Sequence, residues 1–169
     1  MQQNIAKRHA AIQAATHPLP GCAPYENRRP LNIPADFGGH TLIDFLSAVF
    51  PHIDRAEWLQ RCENGRFLND QSQVIPADYV LRSGERCVQI IPGTIEPPVN
   101  PDIRIVHENE VLFVVQKPAP LPMHPSGRFN RNTLQHILCE VYAPQRPKFV
   151  HRLDSNTTGL VLCARTRHF

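Results

Sequence analysis

Apolar positions along this chain fall into two blocks separated by prolines. After Thr41, the residues Leu42, Phe45, Leu46 and Val49 recur at the i, i+3, i+4, i+7 spacing of an amphipathic helix, with Thr41 as cap and Asp44 in the first turn; Pro51 ends it. Asp54, with Glu57 three residues on, opens a second helix that buries Trp58, Leu59 and Cys62 and closes at Gly65. Then come Arg66-Phe67-Leu68, the turn Asn69-Asp70, Val80-Leu81, the turn Ser83-Gly84 and the β-type run from Cys87 to Ile91. The pattern predicts a small module of two helices and a little sheet over residues 38–91.

Residues 1–37 contain five prolines and little periodicity, which predicts a flexible, extended leader. Residues 92–101 include Pro97-Pro98 and predict a stiff linker, because proline cannot continue a central strand. The second module, 102–169, opens with a hairpin formed by Ile103–Val106 and Val111–Gln116. A loop from Lys117 to Arg131 follows, then a helix capped by Asn132 with Leu134, Ile137, Leu138 and Val141 on its buried face. Lys148-Phe149-Val150 leads into a polar turn, and Gly159 to Ala164 is apolar on both faces, as a central strand is. The expected fold class is α+β. With the sequence stopping at Phe169, that last strand is expected to lie uncovered and unpaired and the second module to be only marginally folded.

At 169 residues and 41% hydrophobic content the chain can bury a core of ordinary size or two small ones. Its apolar runs are far too short to cross a bilayer and the N-terminus has no secretory core, so a cytoplasmic location with no membrane partner is expected. The first 25 residues lack Asp and Glu and carry Lys7 and Arg8, which suits a transit peptide or a disordered bacterial leader. Five scattered cysteines without a Cys-x-x-Cys pair make no disulfide framework. His136 and Cys139 have helical spacing for a shared metal but no second ligand pair, so they are read as packing residues and no metal is expected. The net charge of +3 is uneven: residues 101–169 hold nine basic and five acidic side chains, whereas 40–91 hold five and seven. The basic half favours a polyanion such as RNA, with solvated surface charge as the plainer alternative.

The polar turn His151-Arg152-Leu153-Asp154, followed by Ser155-Asn156-Thr157-Thr158-Gly159, sets a carboxylate between two apolar segments, where a rigid scaffold can present it to a ligand. The alternative is an Asp bonded to the amides of its own turn. Upstream lie Lys117-Pro118 and His124-Pro125-Ser126-Gly127. In their order and spacing these three motifs resemble the RluA-type family of RNA pseudouridine synthases. The resemblance implies a catalytic Asp154, and an Arg152 that enters the RNA stack where the target base has left it, unless it pairs with a carboxylate. It implies loop support from His151, Thr157, Thr158 and Gly159, where the family commonly has Thr-Ser-Gly. Lys117 and His124 would stand near the entrance, with Arg128 and Arg131 meeting phosphates.

Isomerising uridine gains no atom, so no cofactor and no metal is required. The implied partner is structured rRNA or tRNA. The first module, with Arg55, Arg61 and Arg66, resembles an S4-type RNA-binding domain, often found at the N-terminus of this family. Family members continue past the Asp loop to a Tyr that stacks on the target base and a later basic residue; Tyr79 and Tyr142 precede the loop and do not map onto that Tyr. The expectation is therefore an N-terminal portion of a synthase, inactive by itself. Its rivals are a noncatalytic RNA-binding protein with a decayed synthase remnant, and an Asp-dependent hydrolase, disfavoured because no partner carboxylate or nucleophile–base pair is evident.

Overall fold

The computed structural model describes residues 2–166. In chain order the elements are α1 (Gln2–Thr16), β1 (Tyr25–Asn32), α2 (Leu42–Val49), α3 (Arg55–Glu63), β2 (Phe67–Leu68), β3 (Arg86–Thr94), β4 (Arg104–Glu108), β5 (Leu112–Lys117), α4 (Leu134–Val141), β6 (Lys148–Phe149) and β7 (Gly159–Ala164). They form two compact units, Glu26–Gly93 and a second made of the described residues up to Tyr25 together with those from Thr94 on. Both are mixtures of helix and antiparallel sheet, an α+β protein. No helix among the described residues is long and apolar enough to cross a membrane.

In the Glu26–Gly93 unit, a three-stranded sheet of order β1-β3-β2 accompanies α2 and α3. Thr41 caps α2 by accepting from Asp44 N, and Asp54 caps α3 by accepting from Ala56 N. Leu42, Phe45, Leu46, Trp58, Cys62, Phe67 and Cys87 share one core. Two expected core residues point elsewhere, Val49 and Leu59, which are 41% and 38% exposed. Strand β3 continues through Pro92 to Thr94, past the residues that pair with β2, so the missing proline N–H removes no bond to that neighbour.

The other unit is built on a four-stranded antiparallel sheet of order β4-β5-β7-β6. One face buries Ile105, Phe113, Val115, Val161 and Cys163 with Leu134, Ile137, Leu138 and Tyr142 of the helical layer. Phe113 and Tyr142 stack with ring centroids 4.2 Å apart. Strand β7 is paired along both edges, to β5 and to β6, which corrects the expectation that nothing pairs it. Its other face is open at Leu160, which is 59% exposed.

The residues expected to be a flexible leader form α1 and β1, and the first residues of the expected linker, 92–94, belong to β3. Helix α1 buries Ile12 in the second core and is tied down by polar contacts: Arg8 Nη1 donates to Val141 O at 2.9 Å, Arg8 pairs with Glu108 at 3.3 Å, and His9 Nε2 accepts from Ile105 N at 2.9 Å. An alanine-rich stretch has strong helix propensity but no apolar stripe, so periodicity missed it. The proline stretch is likewise packed rather than free, with Glu96 and Val99 buried and Asn100 N donating to Pro120 O at 2.8 Å.

Candidate active site

Strand β5 ends at Lys117, paired across the sheet with Gly159 at the start of β7. This register brings the loop after β5 beside the loop before β7. The expectation that Lys117 stands at the entrance and meets RNA is corrected here. Lys117 is fully buried, and its ammonium donates to the carbonyls of Pro118 at 3.0 Å, Leu121 at 2.8 Å and Ser155 at 3.1 Å. Ser155 O accepts a second bond, from Leu121 N at 2.9 Å. A buried cation is costly unless its donors are matched, and each of the three donors here has a carbonyl. Burial pulls the Lys117 pKa below its ordinary value, while the charge of Asp154 opposes that pull. Lys117 is thus a fastener between the two loops.

The segment Pro122–Ser126 is fixed from behind by α4. Leu134 N and Gln135 N donate to the carbonyls of Pro122 and Met123 at 2.8 and 3.0 Å, and Gln135 Oε1 lies 2.9 Å from His124 Nδ1. The His124 ring meets Phe149 edge-on, with centroids 5.1 Å apart. Thr133, not Asn132, caps this helix, accepting from His136 N. Asn132 is engaged instead with Gly21 N at 2.8 Å and Pro97 O at 2.8 Å, partners distant in sequence that no local pattern signals.

A cleft of about 230 Å³ opens where these loops meet, lined by Pro122–Ser126 and Arg152–Ser155. It brings together three of the expected residues, Asp154, Arg152 and His124, all exposed. The turn is closed through backbone, Thr157 N donating to Asp154 O at 3.1 Å, and His151 Nε2 lies 3.1 Å from Leu160 O across the loop. Among the described residues no hydrogen bond reaches the Asp154 carboxylate or leaves the Arg152 guanidinium, so neither self-capping nor a paired Arg152 describes this turn. Thr157 and Thr158 are exposed, and a Cβ at Gly159 would lie 3.1 Å from Leu153 Cδ1, so a small residue suits the close passage of the loop.

The remaining expected residues lie away from the cleft lining. Arg128 and Arg131 follow Ser126 on a tight turn in which Ser126 and Phe129 exchange two backbone hydrogen bonds of 2.9 Å. Arg131 sits with its guanidinium 3.9 Å from the Tyr25 ring centroid. In the Glu26–Gly93 unit, Arg55 pairs with Asp44 at 2.9 Å, while Arg61 bonds Glu57 and stacks 4.6 Å from the Trp58 centroid. Arg66 contributes a backbone carbonyl that accepts from Ile90 N at 2.7 Å. Sequence reasoning passed over Glu96, a lone acid among prolines that proves to be buried beside this region. His136 pairs with Glu140 at 3.1 Å, and among the described residues no three His, Cys, Asp or Glu side chains gather as a metal would need. Arg167, counted among the basic residues, lies outside the described residues.

A carboxylate and a guanidinium two residues apart, both open to a small cleft on a fastened loop, can act on a ring presented to them and fill the space it vacates. Comparison with known proteins points the same way. Residues 111–169 match the family described as RNA pseudouridylate synthase. An uncharacterized RNA pseudouridine synthase of Synechocystis is 32% identical over 126 residues, covering 74% of this chain and 43% of the relative. The human pseudouridylate synthase RPUSD2 is 33% identical over 132 residues, 76% of this chain and 24% of its own. The ribosomal large subunit pseudouridine synthase D of Neisseria meningitidis is 29% identical over 148 residues, 83% of this chain and 40% of its own. The chain thus spans less than half the length of these relatives. The motifs, the cleft and these matches agree, and the chain is similar to the RluA-type RNA pseudouridine synthases.

Proposed function

We propose that the Asp154 cleft is the catalytic part of an RNA pseudouridine synthase, in which Asp154 is the catalytic carboxylate. Converting uridine to its C-glycoside isomer breaks the N1–C1′ bond, turns the base and forms a C5–C1′ bond; the C5 proton leaves and N1 regains one. A carboxylate acting on the ribose or the base initiates this, in a site that shields the intermediate from water. The single observation that carries the reading is the shared exposure of Asp154 and Arg152 to one cleft on a loop held from below by buried Lys117. A uridine within an RNA stack must first be flipped out, at a cost of about a few kcal/mol. Arg152, planar and without a hydrogen bond among the described residues, suits the vacated space. His124 lines the cleft, and Arg128 and Arg131 in the adjoining loop serve phosphates. His151, Thr157, Thr158 and Gly159 shape the loop.

The partner we propose is structured RNA, rRNA or tRNA, and the working compartment the cytoplasm. The Neisseria relative's name refers to the large ribosomal subunit, which puts rRNA first among the RNAs to examine. The Glu26–Gly93 unit is proposed as an S4-like auxiliary that touches RNA weakly. Arg66 is its first candidate contact, because Arg55 and Arg61 are already neutralised by carboxylates.

Replacing the gene in its own host by the Asp154→Asn version tests the proposal. Mapping pseudouridine across cellular RNA by carbodiimide-dependent primer-extension stops should show at least one site lost. An unchanged map would remove Asp154 from the catalytic role.

A further inference from the structure

Three stretches far apart in sequence converge on one side chain. Glu96 is 2% exposed, and its carboxylate accepts backbone N–H bonds from three successive residues: Asn130 at 3.0 Å, Arg131 at 2.8 Å and Asn132 at 2.8 Å. The Tyr25 hydroxyl donates a fourth bond. Glu96 N in turn donates to Gly21 O at 2.8 Å, while Gly21 N donates to the Asn132 side chain. The approach is so close that a Cβ on Gly21 would fall 2.7 Å from Glu96 Cδ and 2.9 Å from Asn132 Cγ, which only glycine avoids.

Burial alone would raise the Glu96 carboxyl, but the Tyr25 hydroxyl and the three N–H groups outweigh it and hold it below its ordinary value. The same burial and the neighbouring Glu96 push the Tyr25 phenol up to about 12. At neutral pH the centre is therefore a carboxylate receiving a neutral phenol. Successive N–H groups converging on one anion form a nest, and here the protein fills its own nest.

The position of this knot gives it a consequence beyond cohesion. Tyr25 is the last residue before the chain enters the Glu26–Gly93 unit, and Glu96 comes just after it returns. The residues they hold, Asn130–Asn132, stand between the Ser126 turn that borders the cleft and the start of α4. The Tyr25 ring, fixed by its hydroxyl, also carries the Arg131 guanidinium on its face at 3.9 Å. A guanidinium supported on its face keeps its edge donors for phosphate, and its neighbour here is a neutral ring rather than a competing carboxylate.

We propose that Glu96 is the positioning residue of the RNA-facing loop: its carboxylate fixes the backbone of Asn130–Asn132 and, through Tyr25, sets the Arg131 guanidinium to meet a phosphate beside the Asp154 cleft. The inference rests on the reading of that cleft as an RNA site.

Glu96→Gln keeps the shape but turns one acceptor oxygen into a donor, so the nest loses at least one bond. In the intact protein, amide exchange at Asn130–Asn132 should speed up at least tenfold, with α2 and α3 unchanged. Affinity for structured RNA should fall about tenfold, and the slope of log affinity against log salt should shrink by about one, as for the loss of one phosphate contact. Tyr25→Leu leaves the carboxylate but removes the ring beneath Arg131; it should reduce the salt slope while Asn130–Asn132 stay protected, and it decides the matter if Glu96→Gln does not fold. Faster loop exchange with wild-type RNA affinity and salt slope would make Glu96 a structural brace only and overturn the proposal, as would a wild-type slope in Tyr25→Leu. Wild-type protein that binds no RNA would sink the cleft reading and this inference with it, a result visible before any variant is made.

Discussion

Charge is used in opposite ways in the Asp154 cleft and in the Glu26–Gly93 unit. In the cleft the buried cation, Lys117, is spent on three backbone carbonyls, and the exposed pair Arg152 and Asp154 makes no side-chain hydrogen bond among the described residues. In the other unit Arg55 and Arg61 lie at the surface, yet each is matched to a carboxylate, Asp44 and Glu57. An arginine already satisfied gains little from a phosphate, because one partner is exchanged for another. An unbonded guanidinium on a rigid loop gains a full contact. The comparison teaches that the proposed RNA site is marked by which charges the fold leaves unpaired, not by how many it carries.

The largest effect that would sharpen this contrast is expected from Lys117→Met. Removing the ammonium leaves buried carbonyls of Pro118 and Leu121 without that donor, and should cost about 3 kcal/mol of unfolding free energy. Chemical denaturation checks it, and a variant as stable as wild type would mean that the cleft floor does not depend on Lys117. Glu96→Gln should come next, lowering stability by about 2 kcal/mol at neutral pH. Because the folded carboxyl lies below its ordinary 4.5, the stabilisation is present above that value and is lost as pH falls through the folded pKa. Stability curves of wild type and Glu96→Gln should therefore converge in acid; a constant gap down to low pH would contradict the ionised nest.

Smaller effects concern RNA. Arg152→Ala should slow turnover about tenfold more on structured RNA than on an already unstacked uridine, the ~1.4 kcal/mol of a stacking contact. Equal losses on both substrates would break the stacking role. The double substitution Arg55→Ala with Arg61→Ala should weaken RNA binding by less than about threefold, since both cations are already paired. A loss as large as that of a cleft residue would reverse the comparison on which this account stands.

Much of the fold was legible because local chemistry determined it. Thr41 and Asp54 cap their helices as the pattern predicts, and Leu134, Ile137, Leu138 and Val141 form the buried face expected of α4. Elements fixed by distant partners were not. Helix α1 lacks an apolar stripe and is tied down through Arg8, His9 and Ile12, whose partners lie about a hundred residues away. Asn132 gave up its expected capping place to Thr133 because Gly21 and Pro97 claim its side chain. At the site, Asp154 and Arg152 were readable from their motif and the structure sets them on one cleft. The burial of Lys117 was not, since a lysine after a strand carries no local sign that three carbonyls await it. Glu96 was passed over for the same reason.

The central claim, that Asp154 serves uridine isomerisation, is tested most directly with RNA labelled with tritium at C5 of uridine. Joining C5 to C1′ must expel that tritium to water. The wild-type chain, extended to the full length of its synthase relatives, is predicted to release tritium in step with pseudouridine formed, and the same protein with Asp154→Asn to release none. Tritium release by Asp154→Asn at the wild-type rate would contradict the account.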